Sequence, residues 1–270
     1  MVPDSAVAAA ERTEAARRLI DEAGDAGTIE LVTVSGLELC TLGGPKHPLF
    51  EAPIAQAWER LGNRRRKKII EWVTDGMVRR NLLTENNPAS PAHGDSTYSL
   101  SLKPELGIAL AARCRPAFIV ITETAASDLR TPRFFGLGGQ REPVRGIVSE
   151  EPTALPAEVA GDFPHVKKLG PLGWFYRYAL FSPGKTAAAL AAWAIAPAPR
   201  RPGVDPSSAR VVSLYRRWGG MKPEGVRLRV WGDGLRARVE GPETGETAPA
   251  EYDREALQSV MLDLLAVPPR

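Results

Sequence analysis

The sequence predicts an α+β fold, with an N-terminal winged-helix-like module followed by a mixed or antiparallel sheet and flanking helices. Three observations carry this expectation. Apolar residues recur at helical spacing, as in Ile54, Trp58 and Leu61, and again in Ile69, Ile70, Val73 and Met77. Runs such as AFIVIT (117–122) and WFYRYALF (174–181) are short and rich in β-branched or aromatic residues, as strands are. Asp233-Gly234 stands between RLRVWG and LRARVEG, and that dipeptide between alternating residues signals a tight hairpin.

Taken in order, ERTEAARRLIDEAG (11–24) offers only Leu19 and Ile20 as large apolar residues, which predicts a weak amphipathic helix or loosely attached arm over 1–28. TIELVTVSGLELCTL (28–42) reads as a strand followed by a turn at Gly36, before the breaker GGPKHP. A helix over 51–61 ends at Gly62, and Asn63 can cap the next, which runs to about Leu83 and stops at the polar loop ENNPASPAHGDS. STYSLSL alternates as a strand, Pro104 opens the helix PELGIALAARC, and Pro116 closes it before AFIVIT. TPRFFGLGGQREPVRGIVS (131–149) predicts two strands joined by a Gly-rich turn, and EPTALPAEVAGDFP a Pro-broken connector with at most a short helix. An Ala-rich helix follows WFYRYALF. The prolines of 197–208 mark a boundary or insertion, and a final unit begins at Val211. Asp253 caps REALQSVMLDLL, whose Leu257, Val260, Met261 and Leu264 face inward. The expected divisions are an arm over 1–28, a winged-helix-like module over 29–125, and an α+β module over 126–270.

Composition narrows the function classes. With 43% hydrophobic and 25% charged residues the chain has the make-up of a globular protein. A net charge of +3 permits an anionic partner but falls short of the density expected of a dedicated nucleic-acid binder. Cys40 and Cys114 are the two cysteines, and no signal peptide is recognisable, so the expected location is the reducing cytoplasm. The most apolar stretch, 184–196, contains Lys185 and falls short of the roughly 20 residues that cross a bilayer, so no membrane partner is expected.

No catalytic centre, metal site or cofactor site is expected. Ser182-Pro183-Gly184-Lys185-Thr186 resembles the end of a phosphate-binding loop but lacks its earlier glycine, so it reads as a turn with a helix cap. Gly136, Gly138 and Gly139 precede no helix at dinucleotide-binding spacing. His47, His93 and His165 stand apart in Pro- or Gly-rich loops, without metal-ligand spacing. The acidic pairs Asp21-Glu22 and Glu150-Glu151 read as solvated charges.

Arg64-Arg65-Arg66-Lys67-Lys68 puts five cations at the start of a helix, where the helix dipole disfavours them unless an anion answers. In a winged-helix regulator, Arg64, Arg65, Lys67 and Lys68 would meet DNA phosphates. Arg79 or Arg80 would lie near the backbone, and 84–96 would be the wing. That wing carries Glu85 and Asp95 and no Lys or Arg, which weighs against DNA.

The strings VSGLELCTLGG, RRNLL, KPELGIALAARCRP and AFIVIT, followed by VRLRVWGDGLRARVEG and REALQSVMLDLL, come in an order that resembles the EspG family of type VII secretion chaperones. The resemblance implies a non-enzymatic cytosolic adaptor or chaperone that binds a helical protein client through its C-terminal half. Its candidate contact residues here are Trp231, Arg236, Arg238 and Leu257.

Overall fold

The computed structural model describes residues 6–23, 27–43, 52–86, 99–114, 116–123, 131–137, 144, 146–163, 166–196, 210–215, 225–240 and 250–266. The histidines, Gly138 and Gly139, most of the expected wing and the Pro-rich stretch 197–208 lie outside the described residues.

The chain is α+β and its large sheet is antiparallel throughout. The helices are α1 (Ala6–Ala23), α2 (Gly36–Gly43), α3 (Ala52–Glu59), α4 (Asn63–Arg79), α5 (Pro104–Cys114), α6 (Pro183–Ile195) and α7 (Arg254–Ala266). The strands are β1 (Thr28–Ser35), β2 (Leu83–Asn86), β3 (Ser99–Leu102), β4 (Ile119–Glu123), β5 (Arg133–Leu137) and β6 (Gly146–Thr153). They continue with β7 (Phe175–Phe181), β8 (Arg210–Tyr215), β9 (Gly225–Gly232), β10 (Ala237–Glu240) and β11 (Ala250–Tyr252). Nine of these strands form one sheet in the order β1-β7-β6-β5-β4-β8-β9-β10-β11, while β2 and β3 pair separately. The boundary expected near residue 125 therefore falls between β4 and β5, which are hydrogen-bonded neighbours. Likewise α5, expected to complete a winged-helix-like module, packs beside α1 on the large sheet.

The two faces of the sheet bury different residues. Val34, Ile119, Phe135, Val148, Tyr176, Tyr178 and Leu180 point to a core closed by α1, α2, α4 and α5. Val120, Ile147, Val212, Leu214, Leu228, Val230 and Val239 point the other way, under α6 and α7. This alternation follows from the period of two along each strand. The N-terminal arm is a packed helix: Ala16 is buried, and Leu19 and Ile20 lie against the first core.

Three local readings are corrected. The turn expected at Gly36 is the start of α2, because Ser35 and Glu38 form a reciprocal cap. The Glu38 carboxylate accepts from the Ser35 N–H at 2.7 Å, and Ser35 Oγ accepts from the Glu38 N–H at 3.2 Å. The helix expected to reach Leu83 stops at Arg79, since Asn81 adopts φ 56° and the chain turns into β2. Arg80, just beyond α4, donates to the Glu38 carboxylate and to the carbonyl of Thr33 in β1, a strand whose register also slips between Glu30 and Val32.

The third correction concerns Glu150, read as solvated but 1% exposed in β6. Its carboxylate accepts hydrogen bonds from Arg113 of α5 and Tyr178 of β7, and Arg133 of β5 lies 3.4 Å away. Helix and three strands are thus tied at one buried charge. Glu151, its neighbour on the opposite face, pairs with half-exposed Arg177 at 2.6 Å. Period two separates the two acids.

Candidate partner-binding face

Strands β9 and β10 alternate strictly. Leu228, Val230, Ala237 and Val239 enter the core under α6 and α7, which turns Arg227, Arg229, Trp231, Arg238 and Glu240 to the other side. None of the described helices covers that side of β9–β11. The side chains of Arg227, Arg229 and Arg236 are 58%, 51% and 67% exposed.

Cross-strand neighbours organise this face. Arg238 lies opposite Trp231 on β9 and Glu251 on β11, and its guanidinium stands 5.7 Å from the centre of the Trp231 ring. Arg229 lies opposite Glu240 at 3.6 Å, Arg227 reaches Glu123 at 3.8 Å, and Arg236 reaches Glu251 at 3.7 Å. These pairs are solvated, so each contributes little to stability but holds long side chains in a set pattern.

The hairpin tip is built on Asp233. Its carboxylate accepts from the N–H groups of Leu235 and Arg236, both at 2.7 Å. Those bonds, Arg236's first, hold the Asp233 carboxyl below the usual carboxylate range. The turn therefore keeps this support at neutral pH and loses it only as acid protonates the group. Gly234 adopts φ 102°, and its N–H donates at 2.9 Å to the carbonyl of Ile195 at the end of α6. Arg210 of β8 donates to the carbonyls of Trp193 and Ala196 in the same region. The hairpin and β8 together cap α6, leaving Leu235 82% exposed at the tip.

No protein-family model, curated protein or solved structure matches the chain. Its chemistry is read from its own residues.

Of the four contact residues expected in this half, Trp231, Arg236 and Arg238 share the open face or its rim. Leu257 does not: it is fully buried with Met261 and Leu265, because α7 turns its apolar stripe onto the sheet. Arg227, Arg229 and Leu235 belong with the face and were missed. The alternation of VRLRVWG marks the two arginines, whereas no sequence signal shows that a helix leaves them uncovered.

The basic run takes the place expected for it. Arg64, Arg65, Lys67 and Lys68 are exposed in the first turns of α4, which has no side-chain cap and no acid in its first turn. A cation there is disfavoured by about 0.3–1 kcal/mol. Arg66 points inward, donating to the carbonyls of Trp58 and Glu59 at 3.1 and 2.7 Å. Arg79 sits at the far end of α4, about 16 Å along the axis from Lys68. Ser182, in the loop-like string, is the cap of α6, with its side chain accepting from the Lys185 N–H.

Proposed function

We propose that the protein is a non-enzymatic cytosolic adaptor that holds a helical protein client on the open face of β9–β11. The observation that carries this reading is the ladder of half-buried Trp231, exposed Arg229 and Arg238 and their glutamates, on a stretch of sheet whose reverse side is filled by α6 and α7. A twisted sheet that seats helices on one side offers a matching surface on the other, and interface energy concentrates in Trp and Arg. Fixed opposite charges give register to a client rather than raw affinity. The order of strings that resembles secretion chaperones agrees with this reading. Among the described residues no helix is long and apolar enough to cross a membrane.

The test begins with tagged full-length chain purified from its native host after nuclease treatment. Its co-purifying protein is then produced separately and titrated against variants. Trp231→Ala and Arg238→Glu are each expected to weaken binding about 30-fold, the scale of an interface hot spot, with unfolding midpoints little changed. Full affinity in both variants refutes this face as the docking surface.

A further inference from the structure

The α3–α4 corner carries more positive charge than the fold can use. From Arg60 to Lys68 the sequence RLGNRRRKK contains six cations and no acid. Arg66 alone is turned inward, clasping the end of α3 and lying 6.0 Å from the centre of the Trp58 ring. Its bonds fix the corner. Arg60, Arg64, Arg65, Lys67 and Lys68 remain exposed, and among the described residues none of them pairs with an acid. Those on α4 fan over nearly half its circumference, since successive residues turn by about 100°. The result is a rigid convex knob with cations on several sides.

We propose that this corner docks on the phosphate backbone of double-stranded DNA. A convex helix end roughly 10–12 Å across enters a major groove about 12 Å wide, where phosphates line both walls and meet cations on both flanks. A bilayer is flat and favours apolar residues beside the cations. Here Ile70 and Trp72 emerge on opposite flanks of α4, and Trp72 is packed edge-on against Phe163 at 5.7 Å. Glu71 and Asp75 follow one and two turns beyond the knob, so the helix enters by its end and does not lie along the groove. Contact is with phosphates and independent of base sequence. The knob is the start of α4, which packs over the first core, while the client face belongs to β9 and β10, whose apolar side chains fill the second core. The two sites share no residue, and this inference does not depend on the client reading.

The experiment is fluorescence anisotropy of the full chain with a labelled mixed-sequence duplex. Four or five neutralised phosphates predict that affinity falls about 100-fold or more between about 50 and about 200 mM salt. The variant with Arg64, Arg65, Lys67 and Lys68 all replaced by Ala is expected to lose at least tenfold of the low-salt affinity and most of the salt slope. Its unfolding midpoint should be equal or higher, because a helix start is relieved of repulsion. Arg229→Ala, on the client face, is expected to leave duplex affinity unchanged. Absence of binding at low salt, or binding that survives the quadruple substitution, overturns the proposal. So does displacement of the duplex by anionic vesicles or polyglutamate at charge concentrations where unlabelled duplex does not compete.

Discussion

Glu150→Ala is expected to cost about 3–5 kcal/mol of folding free energy, because it takes the Glu150 carboxylate away from buried Arg113. The Arg113 side chain is 3% exposed and cannot reach water without moving α5 off the sheet. Tyr178 loses an acceptor at the same time, and Arg133 loses a carboxylate 3.4 Å away. At this chain length a loss of that size lowers the thermal midpoint by about 10 °C. Urea unfolding followed by circular dichroism checks it, and a loss below about 1 kcal/mol would show that water reaches the site. Replacing both charges, as Glu150→Leu with Arg113→Met, should recover most of the loss, since a filled apolar site needs no counter-ion. Recovery distinguishes a penalty of unpaired charge from simple loss of volume.

Gly232→Ala is expected to destabilise the protein by about 3 kcal/mol and to weaken client binding with it. A Cβ at Gly232 would stand 2.3 Å from the carbonyl oxygen of Ile195 and 2.4 Å from that of Ala194. Both are backbone atoms, so no side-chain rotation relieves the clash. The β9–β10 hairpin must lift from α6, breaking the bond from Gly234 N–H and displacing Trp231 one residue away. Gly184→Ala provides the contrast. It lies in α6 with open space around the would-be Cβ, so the better helix former is expected to be neutral or to stabilise by up to about 1 kcal/mol. Equal melting curves for wild type and the Gly232 variant would contradict the close approach.

The secondary structure was legible wherever periodicity was strong. The apolar stripe of α4, the short run of β4, the aromatic strand β7 and the Asp-Gly hairpin all stand where their patterns place them. Two misses came from local signals passed over, one a helix cap and one a strand alternation. The turn expected at Gly36 gives way to a helix once Ser35 and Glu38 are recognised as a reciprocal cap. Glu150 looks like half of a solvated pair until strand alternation sends it inward and leaves Glu151 outside. The open face was half legible. The alternation of Arg227, Arg229 and Trp231 is in the sequence, but which side of a sheet helices occupy depends on contacts between residues far apart in the chain. Leu257 shows the same limit from the other direction.

The hydrogen bond from Arg80 to the Thr33 carbonyl bears on how the molecule behaves at high concentration. An outermost strand is a template onto which another chain can crystallise its own backbone, the first step of many aggregates. Here a guanidinium occupies a carbonyl of that strand, and the irregularity between Glu30 and Val32 spoils the spacing an incoming chain would have to match. At the opposite border, β11 runs for only three residues. Both borders are blunted against lateral growth, which favours the broad surface as the place where another molecule can be met without inviting copies of the chain itself.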